Sequence, residues 1–283
     1  MKCNLWKAPI TGALAVGLCA GTMLTAFADS IQCRGSDTVL PLAQAWAEAY
    51  MKKHPGSSIS VSGGGSGVGI AGLINGTTDV ANASRPMKSS EKDKCKAKNF
   101  LPIEHKGALD GLSIIVHPDN PVKSLTVEQV GAMFTGKITN WKEVGGPDER
   151  LVAAARQSSS GTYGFFQDNV MKGGKYKNCQ HLPSTNAICQ VVSRSKGGVG
   201  YVGLAYARKW EGKVKSVPVA KSKGATPVTA SEKTVQDHTY PIWRYLYCYT
   251  AGKPKGLAAN YLKFAQSPEG QALVQKVGYI SLQ

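Results

Sequence analysis

Residues 63–69 read Gly-Gly-Gly-Ser-Gly-Val-Gly, and the reading of this run decides the fold. Glycine at such density provides backbone with positive φ angles, or permits a close approach that a Cβ would block. Two arrangements compete for it. Gly67-Val-Gly69-Ile-Ala-Gly72 has the G-x-G-x-x-G spacing of a dinucleotide-binding turn. The alternative is a loop wrapped around a small anion, with Ser66 as its side-chain donor. In both cases the run lies between a strand, Ser57–Ser62, and a helix with Ile70, Leu73 and Ile74 on one face.

Two further units share this design. IQCRGSDTV, residues 31–39, is a strand ending in polar residues; a helix follows with Pro41 at its start and Val39, Leu42, Trp46 and Tyr50 at helical spacing. LVAAARQSSSGTYGFF, residues 151–166, is a strand, a hydroxyl-rich loop and a helix striped by Tyr163, Phe166 and Val170. Each unit puts Ser, Thr or Gly at a helix N-terminus, where free N–H groups and the helix dipole favour an anion. One such end is an ordinary N-cap. Three of them, all without lysine, read as three sides of one small-anion site. No GxxxxGK[ST] occurs, which excludes a P-loop.

Strand-like and helix-like patterns alternate from Cys33 onward, the mark of parallel α/β construction. DGLSIIVHPDNPV, residues 110–122, is an apolar strand running into a bend at Pro118 and Pro121, a place for the chain to cross between domains. YPIWRYLYCYT, residues 240–250, alternates Trp243, Tyr245, Tyr247 and Tyr249; it reads as a core strand crossing back, in preference to an aromatic ligand face. Leu257 to Gly278 forms two helices, the second capped by Ser267 with Pro268 in its first turn.

Compartment and charge narrow the function. Lys2 and Lys7 precede an uncharged apolar stretch over 8–27, and Ala26-Phe27-Ala28 supplies a cleavage signal; residues 1–28 therefore read as a signal peptide removed before Asp29. Glycine interruptions argue against a membrane anchor, and Leu18 before Cys19 against a lipoprotein. The formal net charge of +16 favours anionic partners: small oxyanions, an acidic membrane surface or polyanions. Nucleic acid is not expected, because no Lys/Arg cluster interleaves with aromatics. No C-x-x-C and no histidine ligand spacing occurs, so no metal or cofactor is expected. Of the cysteines after residue 28, Cys179 and Cys189 enclose a short segment that suits a local disulfide, Cys33 with Cys95 makes a weaker second pair, and Cys248 is the expected free thiol.

GSDTVLPL, GGGSGVGIAGLINGTTDVANAS, GKITNWKEVGG, RQSSSGTYGFF, GGVGYVGLAYA and SPEGQALVQKVGYISL follow one another between Cys33 and Leu282. In this order they resemble the periplasmic phosphate-binding proteins that feed phosphate ABC transporters. The resemblance implies a type II periplasmic-binding-protein fold: α/β, with two Rossmann-like lobes joined by a two-strand hinge. Lobe one would take residues 29–118 with 241–283, and lobe two residues 119–240. It implies a periplasmic monomer that holds inorganic phosphate in the cleft and delivers it to a membrane permease. The family's ligand residues fall on Thr38, the backbone of Val39, Ser66, Arg156, Ser160, Gly161 and Thr162. One position departs from the pattern. Many relatives carry a ligand-contacting aspartate where this chain has Ser84, followed by Arg85. An aspartate accepts a hydrogen bond only from a protonated anion, which separates phosphate from sulfate. Asp37 beside the first loop is an alternative acceptor, or the N-cap of the first helix. Arg85 either faces the ligand or pairs with a carboxylate.

Other readings have less support. Another oxyanion (sulfate, molybdate or a phosphonate) would suit the same donors. The dinucleotide turn lacks an acidic residue about 20 residues on. For an exported phosphate-ester hydrolase, Gly64–Val68 misses G-x-S-x-G at its last place, and Ser193-Arg-Ser-Lys196 has no K-T-G after it. None of the five histidines neighbours a nucleophile motif. The chain reads as a binding protein and not as an enzyme.

Overall fold

The computed structural model describes residues 29–282. The expected signal segment and Cys19 lie outside these residues.

The first half opens with β1 (Ser30–Gly35), α1 (Leu40–Lys53), β2 (Ser58–Ser62), α2 (Ser66–Ile74), β3 (Val80–Ala83), α3 (Ser89–Ala97) and the long β4 (Pro102–Val116). The sequence patterns account for these elements. Pro41 sits in the first turn of α1, Leu42, Trp46 and Tyr50 form its buried stripe, and Lys52 and Lys53 face the dipole at its end. α2 starts at Ser66 directly after Gly64 and Gly65, whose φ angles of +111° and +99° only glycine adopts readily.

The chain continues through β5 (Leu125–Thr126), α4 (Val127–Phe134), β6 (Val152–Arg156), α5 (Gly161–Asn169), β7 (Cys179–Leu182), α6 (Thr185–Arg194), β8 (Gly198–Gly203), α7 (Leu204–Lys209), β9 (Lys215–Val217), β10 (Val219–Ala220) and α8 (Glu232–Gln236). It ends with β11 (Trp243–Ala251), α9 (Gly256–Gln266) and α10 (Pro268–Val277). Ser267 caps α10 by accepting from the Gly270 amide, as the Ser-Pro pair predicts.

The main sheet has the order β2-β1-β3-β11-β4-β8-β6-β7, with β9 also on β4. β1, β2 and β3 are mutually parallel, and β6, β7 and β8 form a second parallel set. β11 and β4 join the sets: β11 is antiparallel to both β3 and β4, and β4 is antiparallel to β8. The two parallel sets therefore point their carboxyl ends at each other. In open α/β sheets the ligand crevice lies outside those ends, so the two-lobed fold predicted from the sequence places a cleft between β3 and β6.

β4 belongs to both halves. Gly111 pairs with Trp243 of β11 and Leu112 with Gly203 of β8. The change of partner thus falls inside β4, ahead of the Pro118 bend where the sequence pattern suggested a crossover. At that point Asp110 and Arg244 form a fully buried pair: Arg244 Nε and Nη2 donate to Asp110 Oδ2 at 3.1 and 2.9 Å, and the Leu204 amide donates to Oδ1. Burial pushes the Asp110 carboxyl up, against the pull of Arg244. Of the alternating aromatics of β11, Tyr247 and Tyr249 are buried beside Ile70, Leu73 and Met87, while Trp243 and Tyr245 are partly buried and pack against the core.

The two expected disulfides need correction: Cys33, Cys95, Cys179 and Cys189 are free thiols, and Cys248 is free as expected. Residues 179–189 are not a loop but the strand β7 and the first turns of α6. Cys189 is turned into the apolar cluster of Ile188 and Val192, while Cys179 Sγ donates to the Lys177 carbonyl at 3.1 Å. Cys33 packs with Trp46 and Leu246, and Cys95 with Ile70 and Tyr249, in separate clusters on opposite faces of the sheet. Burial pushes the Cys189 and Cys248 thiols up to about 12.

Candidate functional site

Three helix starts converge where the strand ends face each other. Thr38, two residues before α1, shares a hydrogen bond with Thr162 of α5 at 2.8 Å. Ser84, just beyond β3, shares one with Thr162 at 3.3 Å, and its amide donates to Ser66 Oγ at 3.0 Å. Thr38, Ser66, Ser84, Ser160 and Thr162 are all buried, which is costly for hydroxyls unless they have hydrogen-bond partners. They come from both halves of the sheet.

Glycine makes this convergence possible. A Cβ on Gly161 would collide with Ser66 Oγ and come within 2.7 Å of Ser84 Oγ. A Cβ on Gly65 would lie 2.5 Å from the Ser159 carbonyl oxygen, and the Gly67 amide donates to that same oxygen at 2.9 Å. The glycine run is therefore a cross-lobe contact surface, with positive φ at its start and close approach along its length.

Arg156 ends β6 and is 2% exposed. Its Nη1 donates to Thr185 Oγ1 at 2.9 Å, and Nη2 donates to the Pro183 carbonyl at 2.9 Å and to Asp37 Oδ2 at 2.6 Å. Its Nε is buried without a hydrogen-bond partner. Three of its five N–H groups are engaged, which leaves the Nε–H and one N–H on Nη1 as donors for an oxyanion.

The structure separates the readings left open for two residues. Asp37 does not cap α1, whose N-cap is Val39 with no side-chain bond; its Oδ1 instead accepts from the Gly64 amide at 3.2 Å. Asp37 thus ties the glycine loop to Arg156. Arg85 pairs with a carboxylate, its Nη1 and Nη2 donating to Glu91 at 2.8 and 2.7 Å.

Two expected donors have other engagements. The Val39 amide donates to the Ser36 carbonyl at 3.1 Å, and Ser160 Oγ caps α5 by accepting from the Tyr163 amide at 3.4 Å.

Sequence reasoning missed the supports of this cluster. Tyr206 Oη donates to the Asp37 carbonyl at 3.0 Å, Tyr279 Oη donates to that of Thr38, and Arg244 Nη1 donates to that of Ser84 at 3.0 Å. Tyr206 and Tyr279 stand inside two of the quoted motifs, but a tyrosine beside a helix end carries no local signal of a bond to a distant carbonyl. No group of His, Cys, Asp and Glu suited to a metal occurs among the described residues.

A sequence profile described as the PBP superfamily domain matches residues 23–269. Phosphate-binding protein PstS of Pseudomonas aeruginosa is 34% identical over 266 residues, covering 88% of this chain and 81% of that protein. The chain belongs to this family of phosphate-binding proteins. PstS of Staphylococcus epidermidis is 35% identical over 260 residues, covering 89% of this chain and 78% of its own length. Among solved structures, one from Clostridium perfringens, described as a phosphate ABC transporter substrate-binding protein with bound phosphate, matches with a TM-score of 0.81 and 32% identity. It is aligned over 90% of this chain and all of its own. An ABC-type phosphate transport receptor from Vibrio cholerae matches with a TM-score of 0.71 and 27% identity, over 89% of this chain.

Proposed function

We propose that this chain captures inorganic phosphate between its lobes and hands it to an ABC transporter in the membrane. The observation that carries this reading is the uncommitted Nε of buried Arg156, whose partner Asp37 precedes Thr38, one of five buried hydroxyls at the strand and helix ends. Arg156 supplies the charge. Thr38, Ser66, Ser84, Ser160 and Thr162 donate through hydroxyls, and the amides of Val39 and Gly161 donate at two helix starts once loop and ligand adjust. Asp37 neutralises Arg156 and offers a charged, acceptor-only carboxylate, which the Ser84 hydroxyl is not.

The domain reading goes with it: residues 29–118 and 241–283 form lobe one and residues 119–240 form lobe two. They rotate about the point where β4 changes partner, beside Asp110 and Arg244. The protein acts as a periplasmic monomer after loss of residues 1–28, and it binds its ligand without transforming it.

Titration calorimetry on protein unfolded, dialysed and refolded to remove carried ligand tests the reading. Phosphate is expected to bind at one site per chain, far more tightly than sulfate, molybdate or a phosphonate. Tighter binding of another oxyanion, or no binding of phosphate, overturns it.

A further inference from the structure

A cavity of about 640 Å³ lies where the start of α1 meets α7 and the end of α10. Leu40, Pro41 and Val277 give it an apolar wall; Arg208, Lys209 and Lys276 also line it, and no carboxylate does. All three cations are exposed, and among the described residues none is held in an ion pair.

This cavity backs directly onto the anion cluster. Its lining residues Tyr206 and Tyr279 are those that hold the carbonyls of Asp37 and Thr38. Asn186, another lining residue, follows Thr185, whose hydroxyl holds Arg156. The wall is also divided: Tyr206 packs with Ile188 and Val202, whereas Tyr279 packs with Trp46 and Tyr261. A partition built from both lobes parts when the lobes separate, which joins the cavity to the cleft.

We infer that this cavity is an antechamber for phosphate, in which Arg208, Lys209 and Lys276 gather the anion and speed its capture. The inference rests on the phosphate reading above. A concave surface lined by one sign of charge, with low-dielectric walls, focuses the field and raises the local concentration of the opposite ion. The contribution appears in the association rate, because none of the three side chains belongs to the proposed ligand set. Salt weakens it, the screening length being about 8 Å at physiological ionic strength.

Stopped-flow fluorescence with inorganic phosphate, across a salt series, tests this on the full mature chain. The triple variant R208Q/K209Q/K276Q is compared with a control, K92Q/K98Q/K253Q, that makes the same charge change at exposed lysines lining no part of the cavity. At low salt the cavity variant is expected to associate about three- to tenfold more slowly, with a flatter salt dependence and an unchanged dissociation rate. The control is expected to keep most of the parent rate. Equal slowing in both variants, no slowing in either, or a change confined to dissociation overturns the antechamber. Failure of the parent to bind phosphate overturns the underlying reading instead.

Discussion

Asp37 Oδ2 lies 2.6 Å from Nη2 of Arg156, and this contact joins residues 119 positions apart across the cleft. Both carboxylate oxygens are engaged, one by the guanidinium and the other by the Gly64 amide. The acidic residue beside the first helix therefore bridges the glycine loop and Arg156.

Replacing Asp37 with Asn keeps an acceptor for Gly64 but removes the charge that balances Arg156 and repels a fully deprotonated anion. The preference for phosphate over sulfate is expected to narrow by about 1–3 kcal/mol, the scale of a charged hydrogen bond left unmade. Calorimetric affinities for both anions measure it. An unchanged ratio would restrict Asp37 to holding the loop and the arginine.

Arg156→Ala leaves the partly buried Asp37 without its charged partner and removes the only cation among the proposed ligand donors. Phosphate affinity is expected to fall by about 2–5 kcal/mol, as for truncation of a desolvated charge pair. Binding as tight as the parent's would show that the anion sits elsewhere.

Gly161→Ala tests the close approach. The added methyl collides with Ser66 and Ser84, which the proposed division puts on the opposite lobe, so the cost is expected to fall on closure and not on the folding of either lobe. A loss of about 1–3 kcal/mol in phosphate affinity is expected, comparable to overpacking a filled core. The melting temperature without ligand should stay near that of the parent. A lower ligand-free melting temperature with unchanged affinity would contradict this.

The Arg85–Glu91 pair predicts a pH dependence of stability. Burial opposes ionisation of Glu91, but the two bonds from Arg85 and one from the Lys88 amide hold its carboxyl below the usual 4.5. A depressed carboxylate pKa stabilises the fold above the unfolded value, and that contribution disappears as pH falls through the folded one. Glu91→Gln is therefore expected to lose about 1–3 kcal/mol at pH 7, and the deficit should shrink below pH about 4.5. Urea denaturation at pH 7 and pH 3.5 measures both values.

Much of this architecture is legible in the chain. The three strand–loop–helix units, the capped α10 and the aromatic strand β11 each carry a local pattern that the structure reproduces. Thr38, Ser66 and Thr162 likewise stand as small hydroxyl donors at helix starts, whereas Arg156 and Ser84 are singled out only by the family resemblance. What stays hidden depends on pairs far apart in sequence. Asp37 also suits capping of α1, because a helix-cap aspartate and a cross-lobe aspartate are the same residue until Arg156 is placed. Cys179 and Cys189 looked suited to a disulfide because spacing alone does not reveal that α6 begins between them. The Asp110–Arg244 pair left no signal, since each residue sits within an apolar strand whose register only the folded sheet defines.

The continuity of β4 bears on how the protein melts. Its 15 residues carry the ladder to β11 at one end and those to β8 and β9 at the other. Fraying of either half strips hydrogen bonds from a strand that the other half still needs. Loss of order in one lobe therefore propagates to its neighbour, as in small domains that unfold in a single cooperative step. Scanning calorimetry on the ligand-free protein should show one endotherm, with van't Hoff and calorimetric enthalpies in agreement. Two resolved transitions would mean that each lobe holds its share of the strand alone.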